Sequence, residues 1–191
     1  MYLVTSESVT SGHPDKFCDQ ISDAILDDVL SHDPSAHVAI ETMATRGYVI
    51  IAGEITSTHT PYYAWIVHKV IESIGYDNID LTGSIEENLR IQVLVHEQSP
   101  EINQGVNKGD SVLGAGDQGI MYGYATALDD TDHLLPLPYE LAVAITSKLE
   151  QDRLLGIDTA SLFRCDGKSQ VTVAYDEKTH KPLYVDAVVV Y

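Results

Sequence analysis

The chain has 191 residues, 44% of them hydrophobic, with 11 Lys+Arg against 29 Asp+Glu, a net charge of -18. That content supports a buried core and one domain or two small ones, and the acidic balance argues against nucleic-acid and anionic-membrane partners, which are bound through basic patches. No window approaches the roughly 18 consecutive apolar residues of a membrane helix, and Cys18 and Cys165 lack any metal-finger spacing, so a reducing cytoplasm is the simple expectation.

In chain order, the first predicted element is a helix opening at Pro14, a favoured first-turn residue, with Gly12 and His13 just outside it. Phe17, Ile21, Ile25 and Val29 recur every four residues and form one buried stripe. Asp19, Asp23 and Asp27 form a second, acidic one. Pro34 ends the helix. Two β-branched runs follow, 37–45 and 48–56, joined by Arg46-Gly47 as a hairpin turn. Thr60 is placed as the cap of a second helix with Pro61 at its first position. Tyr63, Val67, Val70 and Ile74 make its apolar face, and Gly75 ends it. A strand is expected over 88–98.

From Ser99 to Gly116 the periodicity dissolves, which predicts a long functional loop such as a lid. A strand is expected again over 117–126, with Gly119 and Gly123 permitting close backbone approach. Pro138 opens a third helix to about Arg153, its inner side drawn through Leu141, Ile145, the Lys148 stem and Leu149. Two strands, 169–177 and 182–191, complete the reading. The unit helix–strand–strand therefore occurs twice, an internal repeat whose second copy lacks a closing helix and strand. With Val188, Val189, Val190 and Tyr191 so apolar, the expectation is a piece of a longer chain, or one needing a partner to cover that strand. The fold class predicted is α+β: repeated helix–strand–strand units, with mixed sheets packed by helices on one face. The domain division expected is 1–98, a loop over 99–116, and an incomplete 117–191.

Several residues could carry chemistry. His13, Asp15 and Lys16 sit at a helix N-terminus, which attracts anions through its free N–H groups and dipole. An ordinary helix start would use the same residue types. Glu41 and Glu54 fall on the two hairpin strands, where each could simply face solvent; burial would call for a metal or ammonium partner. "GAGDQG" lacks the spacing and lysine of a P-loop, so a glycine-rich turn suffices there. "RCDGKSQ" puts Asp166 and Lys168 just before a strand, and Lys168 is one of few cations available to a phosphate. A polyphosphate site in so acidic a chain must import positive charge, as Mg2+ or from another chain.

Taken together, "TSESVTSGHPDKFCDQISDAI", "ETMATRGYVIIAGEIT", "IGYD", "QSPEINQGV", "GAGDQGIMYGYAT", "DGKSQVTVAYD" and "VDAVVVY" resemble the S-adenosylmethionine synthetase family, also called methionine adenosyltransferases. The resemblance runs through essentially the whole chain, in family order. It implies a reaction between ATP and L-methionine in which sulfur attacks C5′ and expels triphosphate, which is then cleaved. It implies Mg2+ and K+ as cofactors. His13 would face the triphosphate near the leaving oxygen, and Lys168 would contact phosphates. Asp15 would hold Mg2+ and Glu41 would sit at K+. Glu54 and Gln98 would line the methionine pocket, Asp117 would contact substrate, and Asp166 would bind the nucleoside. Ser99 to Val106 would belong to a gating loop.

Family members are longer, with three similar domains and a site between two subunits. The resemblance therefore implies a homodimer or tetramer for the complete enzyme, and little activity for this chain alone. Two other readings stand beside it: a non-catalytic synthetase-like regulatory or assembly subunit, and an acidic Mg2+-dependent phosphohydrolase.

Overall fold

A computed structural model of the chain describes residues 1–76, 88–97, 118–131, 133–157 and 162–191. Helix α1 (Pro14–His32) follows the predicted stripe, with Phe17, Ile21, Ile25 and Val29 buried on one side. Asp19, Asp23 and Asp27 are exposed. Strands β2 (His37–Thr45) and β3 (Tyr48–Thr56) pair antiparallel about Arg46-Gly47, and Gly47 takes a φ of 77° there, a left-handed conformation that glycine adopts without strain. Helix α2 (Tyr63–Ile74) ends at Gly75 as expected. It starts two residues later than Thr60-Pro61 suggests: Tyr62 occupies the cap position, with no side-chain hydrogen bond. Strand β4 (Arg90–His96) then lies parallel to β3.

The second unit is α3 (Leu137–Leu155) followed by β5 (Lys168–Tyr175) and β6 (Pro182–Val190). The α3 N-terminus is capped from outside, the Leu137 N–H donating to Asp129 at 2.7 Å. Its buried stripe is Pro138, Ala142 and Thr146, one position on from the Leu141–Ile145 side read from sequence; those two leucine-type residues are only partly buried. Small residues on the inner face let the helix lie close to the strands, which large ones would prevent.

Two three-stranded sheets result, ordered β1-β5-β6 and β2-β3-β4. Strand β1 (Tyr2–Val9) is the element the sequence hid. Its "TSES" core is hydroxyl-rich and reads as loop, because Ser and Thr compete for backbone groups. It becomes a strand because β5 offers it an edge, antiparallel from Tyr2↔Tyr175 to Val9↔Lys168. A cross-strand hydroxyl pair, Thr5–Thr172 at 2.9 Å, helps fix the register. The strand expected over 117–126 is not formed by its described part: 118–126 joins neither sheet. Its Met121 and Tyr122 are 93% and 90% exposed, so no sheet face exists there for the alternation to pack on. The fold is α+β with mixed and antiparallel sheets and two helix–strand–strand units, each helix lying against its own sheet. No described helix is long and apolar enough to cross a membrane.

Candidate functional site

The site is built at the seam between the two units. Strand β1 delivers the chain to residues 10–13, which rest on the turn 165–167 leading into β5. Thr10 donates its N–H to Gly167 O at 2.9 Å. Its hydroxyl donates to Cys165 O at 2.6 Å. Gly12 is pressed so close that a Cβ there would stand 2.5 Å from the Cys165 carbonyl carbon; this is why glycine precedes the histidine. Further ties hold the loop: Tyr76 donates its hydroxyl to Gly12 O, Ser11 donates to Glu150 of α3, and Gln20 donates to Ser11 O at 2.8 Å.

His13 caps α1. Its Nδ1 accepts the Asp15 N–H at 3.2 Å. An accepting Nδ1 is unprotonated, so in the neutral ring the proton resides on Nε2, which is left as a donor. Asp15, in the first turn of α1, has its side chain 90% exposed and its carboxylate 3.9 Å from His13 Nδ1, beside Asp19 in a shallow depression lined also by Cys18 and Thr42. Burial pushes the Cys18 thiol above its ordinary pKa, so this cysteine is held as thiol rather than thiolate.

Across the seam, Asp166 is exposed and Lys168 opens β5. Lys168 Nζ pairs with Glu7 of β1 at 2.8 Å. A cleft of about 270 Å3 lies at the same junction, reached by Pro14, Arg46, Tyr76, Arg164 and Asp166. In a chain of net charge -18, this cleft brings Arg46 and Arg164 beside Asp166, while Lys168 stays in its pair with Glu7. Such a cleft offers two guanidinium groups next to a carboxylate.

His13, Asp15, Asp166 and Lys168 are thus brought to one seam. Glu41 and Glu54 are not. Residues 38, 40, 42 and 44 of β2 face α1, as the Ser22–Thr42 hydrogen bond at 2.9 Å shows. Strand alternation therefore puts Glu41 on the opposite face. Glu54 pairs with Ala39 and shares that outer face, next to His96 of β4. Glu41 is exposed and Glu54 half-buried. Gln98, Asp117 and the loop 99–116 lie outside the described residues. Sequence reading missed three members of the seam. Glu7 was hidden with β1, Arg46 was absorbed into a hairpin turn, and Tyr76 follows a helix stop; only the "RCDGKSQ" run hinted at Arg164.

An α+β protein of two like units, with a cleft carrying two arginines at their seam, is the class these features define. The N-terminal-domain profile of S-adenosylmethionine synthetase matches residues 1–100, and the central-domain profile of the same enzyme matches residues 112–191. The chain belongs to the S-adenosylmethionine synthetase family. It is 48% identical over 189 residues to the S-adenosylmethionine synthase of Sulfurimonas denitrificans, covering 99% of this chain and 46% of that one. It is 49% identical over 190 residues to that of Wolinella succinogenes, covering 99% and 47%. For Bifidobacterium adolescentis the figures are 45% over 201 residues, with 98% and 48% covered. The chain spans about half the length of the curated relatives it matches.

Proposed function

We propose that this chain supplies the nucleotide-holding part of an enzyme that makes S-adenosylmethionine from ATP and L-methionine. The observation that carries the reading is the seam: residues 10–12 seated on 165–167, joining His13 and Asp15 to Asp166 and Lys168. The two matched domains meet at these residues. His13 offers its Nε2–H toward the oxygen on which negative charge grows as triphosphate departs, and a donor aimed at developing charge stabilises the transition state. Lys168, steered by Glu7, contacts a phosphate. Asp166 accepts hydrogen bonds from the nucleoside, while Glu54, Gln98 and Asp117 bind the methionine and adenosine groups.

The donors fit the cofactors. Asp15 and Asp19 line one depression with hard carboxylate oxygens, the ligand type Mg2+ takes together with substrate phosphates. Glu41 offers the same donor type to K+. When bound, these cations neutralise the polyphosphate. Glu41 and Glu54 face away from His13, so one copy does not assemble the whole set. A second copy presenting its outer sheet face to this seam would, which is the reason to place the complete enzyme as a dimer or tetramer. A cytoplasmic location suits an enzyme drawing on ATP and methionine.

Binding of a non-hydrolysable ATP analogue, followed by calorimetry with and without Mg2+, tests the reading. Lys168→Met should weaken binding about 10- to 100-fold, the cost of losing a charged hydrogen bond. Equal binding by wild type and variant, or tight binding in EDTA, would overturn it. With ATP, methionine, Mg2+ and K+, the chain alone should form S-adenosylmethionine far more slowly than the roughly 1 per second of ordinary enzymes. One observation favours the assembly-subunit alternative: Leu183, Tyr184, Val185, Val188 and Val190 of β6 are all about half exposed. That reading requires capture of a complete synthetase by a chain that binds no nucleotide.

A further inference from the structure

At the far end of α1 lies a cluster that the proposed reaction does not use. Asp28 and His32 sit one turn apart on the helix, and His59 reaches them from the segment after β3. One ring nitrogen from each histidine and one carboxylate oxygen all fall within 4.8 Å of one another. We propose that Asp28, His32 and His59 form a binding site for a divalent transition metal of the zinc class, separate from the Asp15 end. Asp15 and His32 are 17 positions apart on one helix, roughly 26 Å at 1.5 Å per residue.

Three features point to a metal. His59 Nε2 lies 2.8 Å from Asp28 Oδ2, so a metal ion would take the place of the shared proton. His32 Nδ1 lies 2.8 Å from the Asp28 carbonyl, to which only an N–H can donate. The Ser31 hydroxyl, itself donating to that carbonyl, lies 3.0 Å from the same nitrogen, and such outer hydrogen bonds orient a metal-ligating histidine. The two imidazoles are stacked, 4.0 Å between centroids at 10°. In-plane lone pairs of two parallel rings do not converge on one ion, so one ring must turn off the stack before both can ligate it. Finally, the cluster lies at the carbonyl end of α1, where the helix dipole attracts a cation.

The histidine from outside the helix is held in place. Asp33, the C-cap of α1, accepts from the Thr58 N–H at 2.8 Å and from the Ser57 hydroxyl at 3.1 Å. The Ser57 hydroxyl in turn accepts the His59 N–H at 3.0 Å. The donor set, two imidazoles and one carboxylate, suits Zn2+, Co2+ or Ni2+ rather than Mg2+ or Ca2+, which prefer all-oxygen shells.

The probe is Co2+, titrated into the 191-residue chain while its visible absorption is followed, with Zn2+ and Mg2+ as competitors. One Co2+ per chain is expected, displaced by Zn2+ and not by Mg2+. His32→Gln and His59→Gln should each weaken it by about tenfold or more, in line with the loss of one metal-site contact. Exposed His32 leaves the fold intact when replaced, and a melting curve of each variant verifies this. Zn2+ should raise the melting temperature of the wild type, since a ligand that binds only the folded state stabilises it, and should not raise that of either variant. Cys18→Ser should bind as the wild type does. Co2+ binding unchanged in both histidine variants, lost in Cys18→Ser, or absent from the wild type would each overturn the proposal.

Discussion

The two helix–strand–strand units share a chain path and differ in what holds them. Among the described residues, the core of the first gathers twelve of its own buried members, with isoleucine and valine dominating α1, α2 and β3, and adds Cys165 from across the seam. The second has four: Ala142, Val171, Val173 and Tyr175. It makes up the difference with polar contacts. Ser169 donates to Ala142 O at 2.7 Å, deep inside. Thr146 and Ser8 share a hydrogen bond of 2.9 Å between α3 and β1. Tyr175 donates to Asp129 at 2.5 Å, and burial, followed by that carboxylate, pushes its hydroxyl pKa well above the ordinary tyrosine value. Burial of apolar area is non-directional and confers stability. Paired hydroxyls confer little net energy but are costly to leave unmade, so they select one partner and one register. The first unit is thus held by area, and the second by fit to β1.

The strongest way to break this contrast is Ile25→Ala. At 0% exposure in the larger core, it should cost about 2–5 kcal/mol in denaturant unfolding. A loss under about 1 kcal/mol would mean that the first unit does not dominate stability. Next comes the seam itself. Gly12→Ala forces a methyl against the Cys165 backbone, and should cost about 1–3 kcal/mol, the range for overpacking. It should also reduce ATP-analogue binding, because His13 and Lys168 are held through this contact.

Asp33→Asn probes a polar anchor inside the apolar unit. The Thr58 N–H, then the Ser35 and Thr58 hydroxyls, hold the Asp33 carboxyl well below the usual carboxylate range. A depressed folded-state pKa means that the unfolded chain takes up the proton first. The stabilisation is therefore full above the unfolded value near pH 4 and drains away as pH falls below it. The melting-temperature gap between wild type and Asp33→Asn should be widest near neutrality and narrow below about pH 4. A gap that widens in acid would contradict the assignment. The smallest effect is expected for Glu7→Gln, which removes a partly exposed pair with Lys168 and should change stability by about 0–1 kcal/mol. Its effect should appear instead in nucleotide affinity, through a less constrained Lys168.

The same contrast explains what could be read from the amino acids. Elements of the first unit announce themselves: Phe17, Ile21, Ile25 and Val29 give a helical period, and 37–45 with 48–56 give a hairpin whose ends agree with the observed ones. In the second unit the apolar signal is offset by one position. Leu141 and Ile145 pack against the core only partly buried, while Ala142 and Thr146 take its centre. Strand β1 is invisible locally, since its partner β5 lies 163 positions away in the register Glu7↔Gln170. His13, Asp15, Asp166 and Lys168 were legible as residue types at telling places. That they converge depends on β1, and that Glu41 and Glu54 turn away from them depends on strand alternation within a sheet whose covered side only the fold defines.

Gly12 against Cys165 also orders events in time. During synthesis the opening motif emerges first, but the surface that shapes it is not made until residues 165–167 have left the ribosome. Until then the first nine residues have no sheet edge to join, while α1 and its hairpin can already collapse together. Joining β1 to β5 closes a loop through most of the polypeptide, the kind of distant pairing that slows folding. The nascent protein therefore acquires a sturdy body early and its chemical mouth late.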